Sequence, residues 1–198
     1  MTGSSRERAR QAVRIARFFK ERHRRLEEEG DGPYRPTALG VWAVSRAPHL
    51  YYFFKTFNLE RRRFFVDLGC GDGLVACMAA LFTRAAGVEV DAGLCRAARR
   101  AARSLSLPRP PEFVQADYLS MVVRRADCLY LYPDKPFPRL EEILPGWPGD
   151  LLVYGPHVPP RHLVAVRRLR CGPESMVVYS GRKPAMTSTT RSCSSGLR

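Results

Sequence analysis

The sequence predicts an α/β fold: a doubly wound, mostly parallel seven-stranded sheet that ends in an antiparallel hairpin. Short apolar runs alternate with helix-like segments between residues 64 and 154, which is typical of βαβ units. The first of these runs leads into a glycine-rich turn. Two strand-like segments near the end, 163–170 and 176–180, are too close together for a parallel crossover, which needs about a dozen residues. They should therefore pair as a hairpin at one edge of the sheet.

Length and composition favour one domain with a proper core. The chain has 198 residues, of which 45% are hydrophobic, and its net charge is +14. The positive charge is compatible with a nucleic-acid partner. The sequence contains no apolar stretch of about 18 residues, so it predicts no transmembrane segment. The six cysteines contain no C-x-x-C pair, so they indicate no zinc site and fit a reducing, cytoplasmic setting.

Three regions are expected along the chain. Within residues 1–32, positions 6–28 predict a basic helix with one apolar stripe, made of Ala9, Ala12, Ala16, Phe19, His23 and Leu26. This helix could pack across the domain edge, dock a substrate or a membrane surface, or serve as an organelle presequence. Residues 33–183 form the main domain. Residues 184–198 are rich in Ser and Thr, and we expect them to be disordered.

The elements of the main domain follow in order. Thr37 is expected to cap a helix that runs toward Ala47 and is interrupted by Pro48. The aromatic segment 49–57 is expected to pack in the core. The remaining predicted strands are 64–68, 86–90, 112–116, 127–132 and 151–154, and the remaining predicted helices are 74–83, 93–104 and 139–144.

The strongest chemical pattern is the turn after the first parallel strand. It reads Asp67-Leu-Gly69-Cys-Gly71-Asp-Gly73, which is G-x-G-x-G preceded by an acid. Glycines permit a sharp turn and a close approach of the backbone to a ligand. At the carboxyl end of a strand, Asp67 could meet a positively charged amino group.

Two more acids are expected at the ends of the next two strands. Glu89 follows Gly69 by 20 residues, where a carboxylate can accept ribose hydroxyl protons. Asp117 ends the third strand and could accept an adenine amino group, and Ala116 leaves room for the ring. Each acid alone is commonly a solvated side chain. Three around one glycine loop predict an adenosine-containing cofactor.

These three segments resemble the first three motifs of class I, seven-β-strand, S-adenosylmethionine-dependent methyltransferases. The resemblance covers residues 33–183 and implies a Rossmann-like fold, S-adenosyl-L-methionine as cofactor and methyl transfer. More narrowly, Pro33-Tyr34-x-Pro36-Thr37 and the Tyr154–Pro160 exit of the fifth strand are similar to small archaeal and mitochondrial protein-lysine methyltransferases. That likeness implies that Tyr34, Pro36 and Thr37 fold over the cofactor.

The end of the fourth strand bears on the acceptor. Asp134-Lys135 resembles half of the Asp-Ala-Asp-Lys pattern of catechol-type O-methyltransferases, but Tyr132 occupies the metal-ligand position, so we expect no metal. On the acceptor side we expect Tyr132 and His157 to be catalytic and to be joined by Tyr130, Pro133 and Tyr154 in substrate binding. The alternatives are that Tyr130 and Tyr132 pack in a core and that His157 is an ordinary loop residue.

The leading functional hypothesis is a methyltransferase that acts on a protein substrate, at a lysine side chain. A second hypothesis is methylation of a small molecule or of RNA, the latter motivated by the basic surface. A third, from another class, is a non-catalytic scaffold subunit that binds the cofactor. The intact glycine loop and its three acids argue against the third.

Overall fold

The computed structural model describes residues 2–30, 34–37, 40–43, 45–155, 157–161 and 163–180. The predicted C-terminal tail, 184–198, lies outside the described residues. No helix in the described ranges combines the length and the apolar character that a membrane span requires. The helices are α1 (Thr2–Glu28), α2 (Ala47–Phe57), α3 (Leu74–Ala79), α4 (Ala92–Leu105) and α5 (Pro138–Ile143). The strands are β1 (Tyr34–Thr37), β2 (Gly40–Ala43), β3 (Phe64–Leu68), β4 (Arg84–Glu89), β5 (Glu112–Gln115), β6 (Cys128–Leu131), β7 (Asp150–Tyr154), β8 (Val164–Cys171) and β9 (Glu174–Ser180).

The main sheet has the strand order β5-β4-β3-β6-β7-β9-β8. The strands from β3 to β7 run parallel, whereas β9 is antiparallel to both of its neighbours. Central strand β3 connects first to β4 on one side, and the chain later returns to β6 on the other. The predicted fold is thus confirmed, including the hairpin at one edge. The order reverses at β3, and ligands of open α/β sheets bind at such a switch point.

Two hydrophobic cores cover the two faces of the sheet. Helices α1 to α4 bury the first, in which Phe53, Phe54 and Phe65 are fully enclosed. The second lies beneath α5 and contains Trp147, whose indole N–H donates to the carbonyl of Ala126 at 2.8 Å. Because parallel strands are covered on both faces, they read as continuous apolar runs in the sequence.

Helix α1 packs against this body of the protein. Ala12, Ile15 and Phe19 lie in the first core, at the three- and four-residue spacing of an apolar stripe. Two of these positions, Ala12 and Phe19, belong to the predicted stripe, and Ile15 extends it. Of the three interpretations of this helix, the structure favours the one in which it packs across the domain edge.

The segment before α2 differs from the prediction. Residues 34–37 and 40–43 pair as antiparallel strands, with Tyr34 opposite Ala43, and form no helix. Pro36 explains part of this, because proline lacks an N–H and disfavours helical geometry in the preceding residue. Pro48 does not interrupt a helix; it lies in the first turn of α2, where its missing N–H costs nothing.

Candidate active site

The glycine loop joins β3 to α3 at the carboxyl edge of the sheet. Gly69 and Gly73 have φ angles of +76° and +92°, a region that favours glycine. A Cβ placed on Gly73 would lie 2.8 Å from Cβ of Ala98 and 2.8 Å from Cζ of Phe113, whereas one on Gly69 would meet nothing within 4 Å. Gly73 therefore allows the loop to pack closely on the domain, and Gly69 borders open space.

The main-chain N–H groups at the start of the loop are used inside the protein. Those of Gly69 and Cys70 both donate to the carbonyl of Val88 at 2.9 Å, and that of Gly71 donates to Oε2 of Glu89 at 2.8 Å. A phosphate-binding loop needs such N–H groups to point at its ligand. This loop presents carboxylates instead, an arrangement suited to a cationic group.

Three carboxylates are buried around the loop: Asp67, Asp72 and Glu89, each at most 6% exposed. Glu89 is held on both oxygens, because Oε1 accepts from the N–H of Asp91 at 2.9 Å while Oε2 accepts from Gly71. A carboxylate has about four acceptor sites, so Glu89 keeps capacity for a ligand.

Asp67 is the carboxylate whose surroundings are incomplete. Its Oδ2 is buried and has no hydrogen-bond partner among the described residues. Burial raises the pKa of Asp67 well above its ordinary value, and the negative charges of Glu89 and Asp72 raise it further. A buried acceptor of this kind is expensive to leave unpaired. It therefore indicates a missing donor, and a cationic one would offset the neighbouring charges.

A cleft of about 330 Å³ opens along the carboxyl ends of β3, β4, β5 and β6. Of the predicted cofactor residues, Gly69, Glu89, Ala116 and Asp117 line it. Asp117 already accepts the N–H of Leu119 on Oδ1, at 2.9 Å, which fixes its carboxylate at the rim. The other lining residues are Leu68, Val88, Val90, Tyr118, Leu119, Leu131, Tyr132, Pro133, Asp134, Lys135, Pro136, Phe137 and Arg139.

The predicted acceptor-side residues separate into two groups. Tyr132 and Pro133 line the cleft, and Tyr132 is 37% exposed with its ring centroid 4.9 Å from that of Tyr154. Tyr130 and Tyr154 are at most 3% exposed and do not line it. Both belong to the first hydrophobic core, which for Tyr130 is the core-packing alternative.

The location of the strand end explains this difference. Tyr130 lies inside β6 beneath α2, with its hydroxyl 3.1 Å from Oγ of Ser45, and burial raises the pKa of that hydroxyl. Tyr132 follows the last residue of β6 and so emerges at the edge. His157 is exposed and does not line the cleft. It nevertheless flanks Gly155 together with Tyr132, since a Cβ on Gly155 would lie 3.8 Å from both rings.

One set of contacts in the site was not predicted from the sequence. Asp72 accepts from His23 Nε2 at 2.8 Å and from Arg22 Nε at 3.3 Å, so the N-terminal helix reaches the glycine loop. The signal available in the sequence was weak: an acid between two loop glycines. Within the described part of the chain, no group of three or more His, Cys, Asp or Glu side chains is arranged to hold a metal ion.

Comparison with known proteins agrees with this architecture. The structure of an RNA methyltransferase from Salinibacter ruber in complex with S-adenosyl-L-homocysteine is 20% identical, with a TM-score of 0.60 over 70% of this chain and 93% of that one. A methyltransferase from Geobacter sulfurreducens is 14% identical, with a TM-score of 0.57 over 81% and 86% of the two chains. The chain has the class I methyltransferase fold.

A third neighbour has a different acceptor in its name. The mitomycin 7-O-methyltransferase MmcR is 17% identical, with a TM-score of 0.56 over 67% of this chain and 53% of that one. No family model and no curated protein matches the sequence. At these identities the likeness concerns the fold, and the function has to be argued from the site.

Proposed function

We propose that the protein is an S-adenosylmethionine-dependent methyltransferase. The observation that carries the proposal is the unpartnered, buried Oδ2 of Asp67, two residues before Gly69, which lines the cleft. The amino group of the methionine moiety is a cation that would donate to this oxygen. The loop around it supplies no free N–H groups from Gly69 to Gly71, which is unsuited to a phosphate.

The rest of the cleft fits the other parts of the same molecule. Its volume of about 330 Å³ is of the size usual for small-molecule sites. Glu89 would accept from the ribose hydroxyls, and Asp117 from the adenine amino group, with Ala116 below the ring. When bound, the cofactor supplies an electrophilic methyl group on sulfur. The protein's task is then to place the acceptor in line with it and to exclude water.

For the acceptor, we propose a protein lysine side chain, on the basis of the aromatic and acidic side chains at the β6 end of the cleft. Tyr132 presents an aromatic face, backed by Tyr154, and such faces attract ammonium groups. A cleft that removes the amine from water would favour its neutral, nucleophilic form. Asp134 also lines the cleft, and its negative charge would attract the incoming ammonium group.

RNA is the second candidate acceptor, and two observations favour it. The net charge of +14 attracts polyanions, and one structural neighbour is named as an RNA methyltransferase. A scaffold subunit would bind the cofactor at the same site as either enzyme, but it would transfer no methyl group.

Calorimetric titration with S-adenosylhomocysteine tests the cofactor site. Wild type should bind, whereas Asp67→Ala and Glu89→Ala should lose at least about tenfold in affinity, because each removes a hydrogen bond to a charged or polar group. Circular dichroism should show an unchanged fold. Unchanged affinity in both variants would show that the assignment of the cofactor site is wrong.

Radiolabelled methyl transfer into a fractionated cell lysate then identifies the acceptor. Label in protein that survives nuclease and base supports N-methylation of a side chain, and mass spectrometry can name the residue. Label in RNA selects the second candidate. Cofactor binding without any label indicates the scaffold role.

A further inference from the structure

Helix α4 carries a row of arginines that the proposed reaction does not use. Arg96, Arg99, Arg100 and Arg103 are all exposed and follow the i, i+3, i+4, i+7 spacing of one helix face. The opposite face is buried in the first core. Arg109, in the loop that follows, is exposed as well.

The segment that carries these arginines has no acids among them. No Asp or Glu occurs between Asp91 and Glu112 in the sequence. Among the residues that the structure describes, none of these five arginines forms an ion pair. Other arginines behave differently: Arg84 pairs with Glu112 at 3.1 Å, and Arg24 pairs with Glu21 and Glu28 on α1. The row therefore keeps its charge available for a partner.

Helix α1 extends the same surface. The guanidinium of exposed Arg14 donates to the carbonyl of Leu105 at the C-terminal end of α4. Arg99 donates to the carbonyl of Phe113 on edge strand β5 at 3.0 Å, which occupies one acceptor that an added strand would need. The surface is thus poorly suited to pairing with a β-strand of another protein.

A groove of about 390 Å³ lies beside the arginine row. Arg99 and Arg103 line it together with apolar residues, among them Leu107, Pro110, Pro111 and the aromatic Phe113. Single-stranded nucleic acids bind where a basic groove follows the backbone and aromatic side chains stack on the bases. The planar fork of arginine matches phosphate oxygens better than lysine does.

We infer that the α4 arginine face and its adjoining groove bind a strand of RNA. Along α4, the row from Arg96 to Arg103 spans about 10 Å, so several phosphates can be contacted in succession. RNA is favoured because its single-stranded stretches offer unstacked bases to such a groove. An anionic membrane is disfavoured, since the leucines of this stretch, Leu94, Leu105 and Leu107, are buried and cannot insert.

The test is fluorescence anisotropy of the full chain with a labelled single-stranded RNA of about 12 nucleotides, without cofactor. A triple variant, R96Q/R100Q/R103Q, should weaken binding at least about tenfold and lower the slope of log K against log salt by about 2, at about 0.7 per phosphate contact. A matched control, R167Q/R168Q/R170Q, removes the same charge from exposed positions on β8 and should change affinity less than about threefold.

Several outcomes would overturn the inference. They are absence of RNA binding, equal loss in both triple variants, tighter binding of DNA of the same sequence, or α4-dependent binding to phosphatidylserine vesicles in place of RNA. Both triple variants should bind S-adenosylhomocysteine like wild type. Since the assay needs no methyl transfer, its failure is distinguishable from failure of the proposed function.

Discussion

His23 Nε2 lies 2.8 Å from Oδ2 of Asp72, and this contact ties the N-terminal helix to the glycine loop. The Asp72 side chain is 3% exposed and that of His23 is 14% exposed. Arg22 adds a second donor to the same oxygen at 3.3 Å. The helix therefore does more than cover apolar surface: its last turns hold a buried carboxylate that lies between two loop glycines.

Replacing His23 by Ala should weaken S-adenosylhomocysteine binding roughly five- to tenfold. Leaving a buried acceptor without its donor costs about 1–3 kcal/mol. Part of this free energy should appear as lower order in the glycine loop, and therefore as weaker binding. Calorimetry measures the affinity. Arg24→Ala, which removes an exposed pair on the same helix, is the control and should bind like wild type. Equal affinity in His23→Ala and wild type would mean that α1 only supports the fold.

The raised pKa of Asp67 gives a prediction about stability and pH. Burial and the nearby Glu89 and Asp72 raise the pKa of this carboxyl in the folded state well above its ordinary 3.8. Above about pH 4 the unfolded chain releases this proton while the folded chain keeps it, so the contribution of Asp67 to stability falls as pH rises. Asp67→Asn removes this penalty and should be more stable than wild type, by a margin that grows as the pH rises above about 4.

Urea unfolding at pH 4, 6 and 8 measures that margin. The same variant should bind S-adenosylhomocysteine at least about tenfold more weakly, because a neutral amide replaces a charged partner of the amino group. A margin that stays constant with pH would show that Asp67 is ionised in the folded, ligand-free protein.

Gly73 and Gly69 should respond differently to the same substitution. In Gly73→Ala the new methyl group would meet Ala98 and Phe113 at 2.8 Å, so we expect a loss of at least about 2 kcal/mol in the free energy of unfolding. In Gly69→Ala the methyl group would enter the open cleft, and cofactor affinity should fall more than stability. Gly146→Ala, with φ of +73° and no contact within 4 Å, measures backbone strain alone. Equal losses at Gly73 and Gly146 would refute the steric argument.

The sheet could be predicted from the sequence because buried parallel strands leave continuous apolar runs and because the glycine turn marks the first of them. The strands β1 and β2 could not be predicted from the sequence, because Thr37 and Pro48 are each compatible with two different local structures. Proline in particular is compatible both with the end of a helix and with its first turn. The pairing of β1 with β2 decides the first case, and the start of α2 at Ala47 decides the second.

The site was predictable to the extent that it follows strand ends. Glu89, Ala116 and Asp117 line the cleft because each closes a parallel strand or lies one or two positions beyond its end. The contact between His23 and Asp72 joins residues 49 positions apart and leaves no periodic pattern. Tyr130 and Tyr132 are two residues apart, and the sequence does not show that β6 ends between them, which leaves Tyr130 in the core beneath α2 and Tyr132 at the cleft.

Tyr132→Ala should reduce methyl transfer at least about tenfold and leave S-adenosylhomocysteine affinity within about twofold of wild type. Tyr132 is the exposed aromatic side chain at the carboxyl end of β6, whereas the predicted cofactor contacts lie with Asp67, Glu89 and Asp117. Positioning of the acceptor contributes to the rate and not to cofactor binding. Single-turnover transfer to the identified acceptor and calorimetry separate the two effects.

Tyr130→Phe is the matched control for this prediction. It removes the hydrogen bond to Ser45 inside the core, so it should cost about 1 kcal/mol of stability and leave the transfer rate of the folded protein unchanged. If Tyr130→Phe slows transfer while Tyr132→Ala does not, the acceptor must approach from the α2 side of the sheet. In that case Tyr132 would be a support for Tyr154, against whose ring it packs.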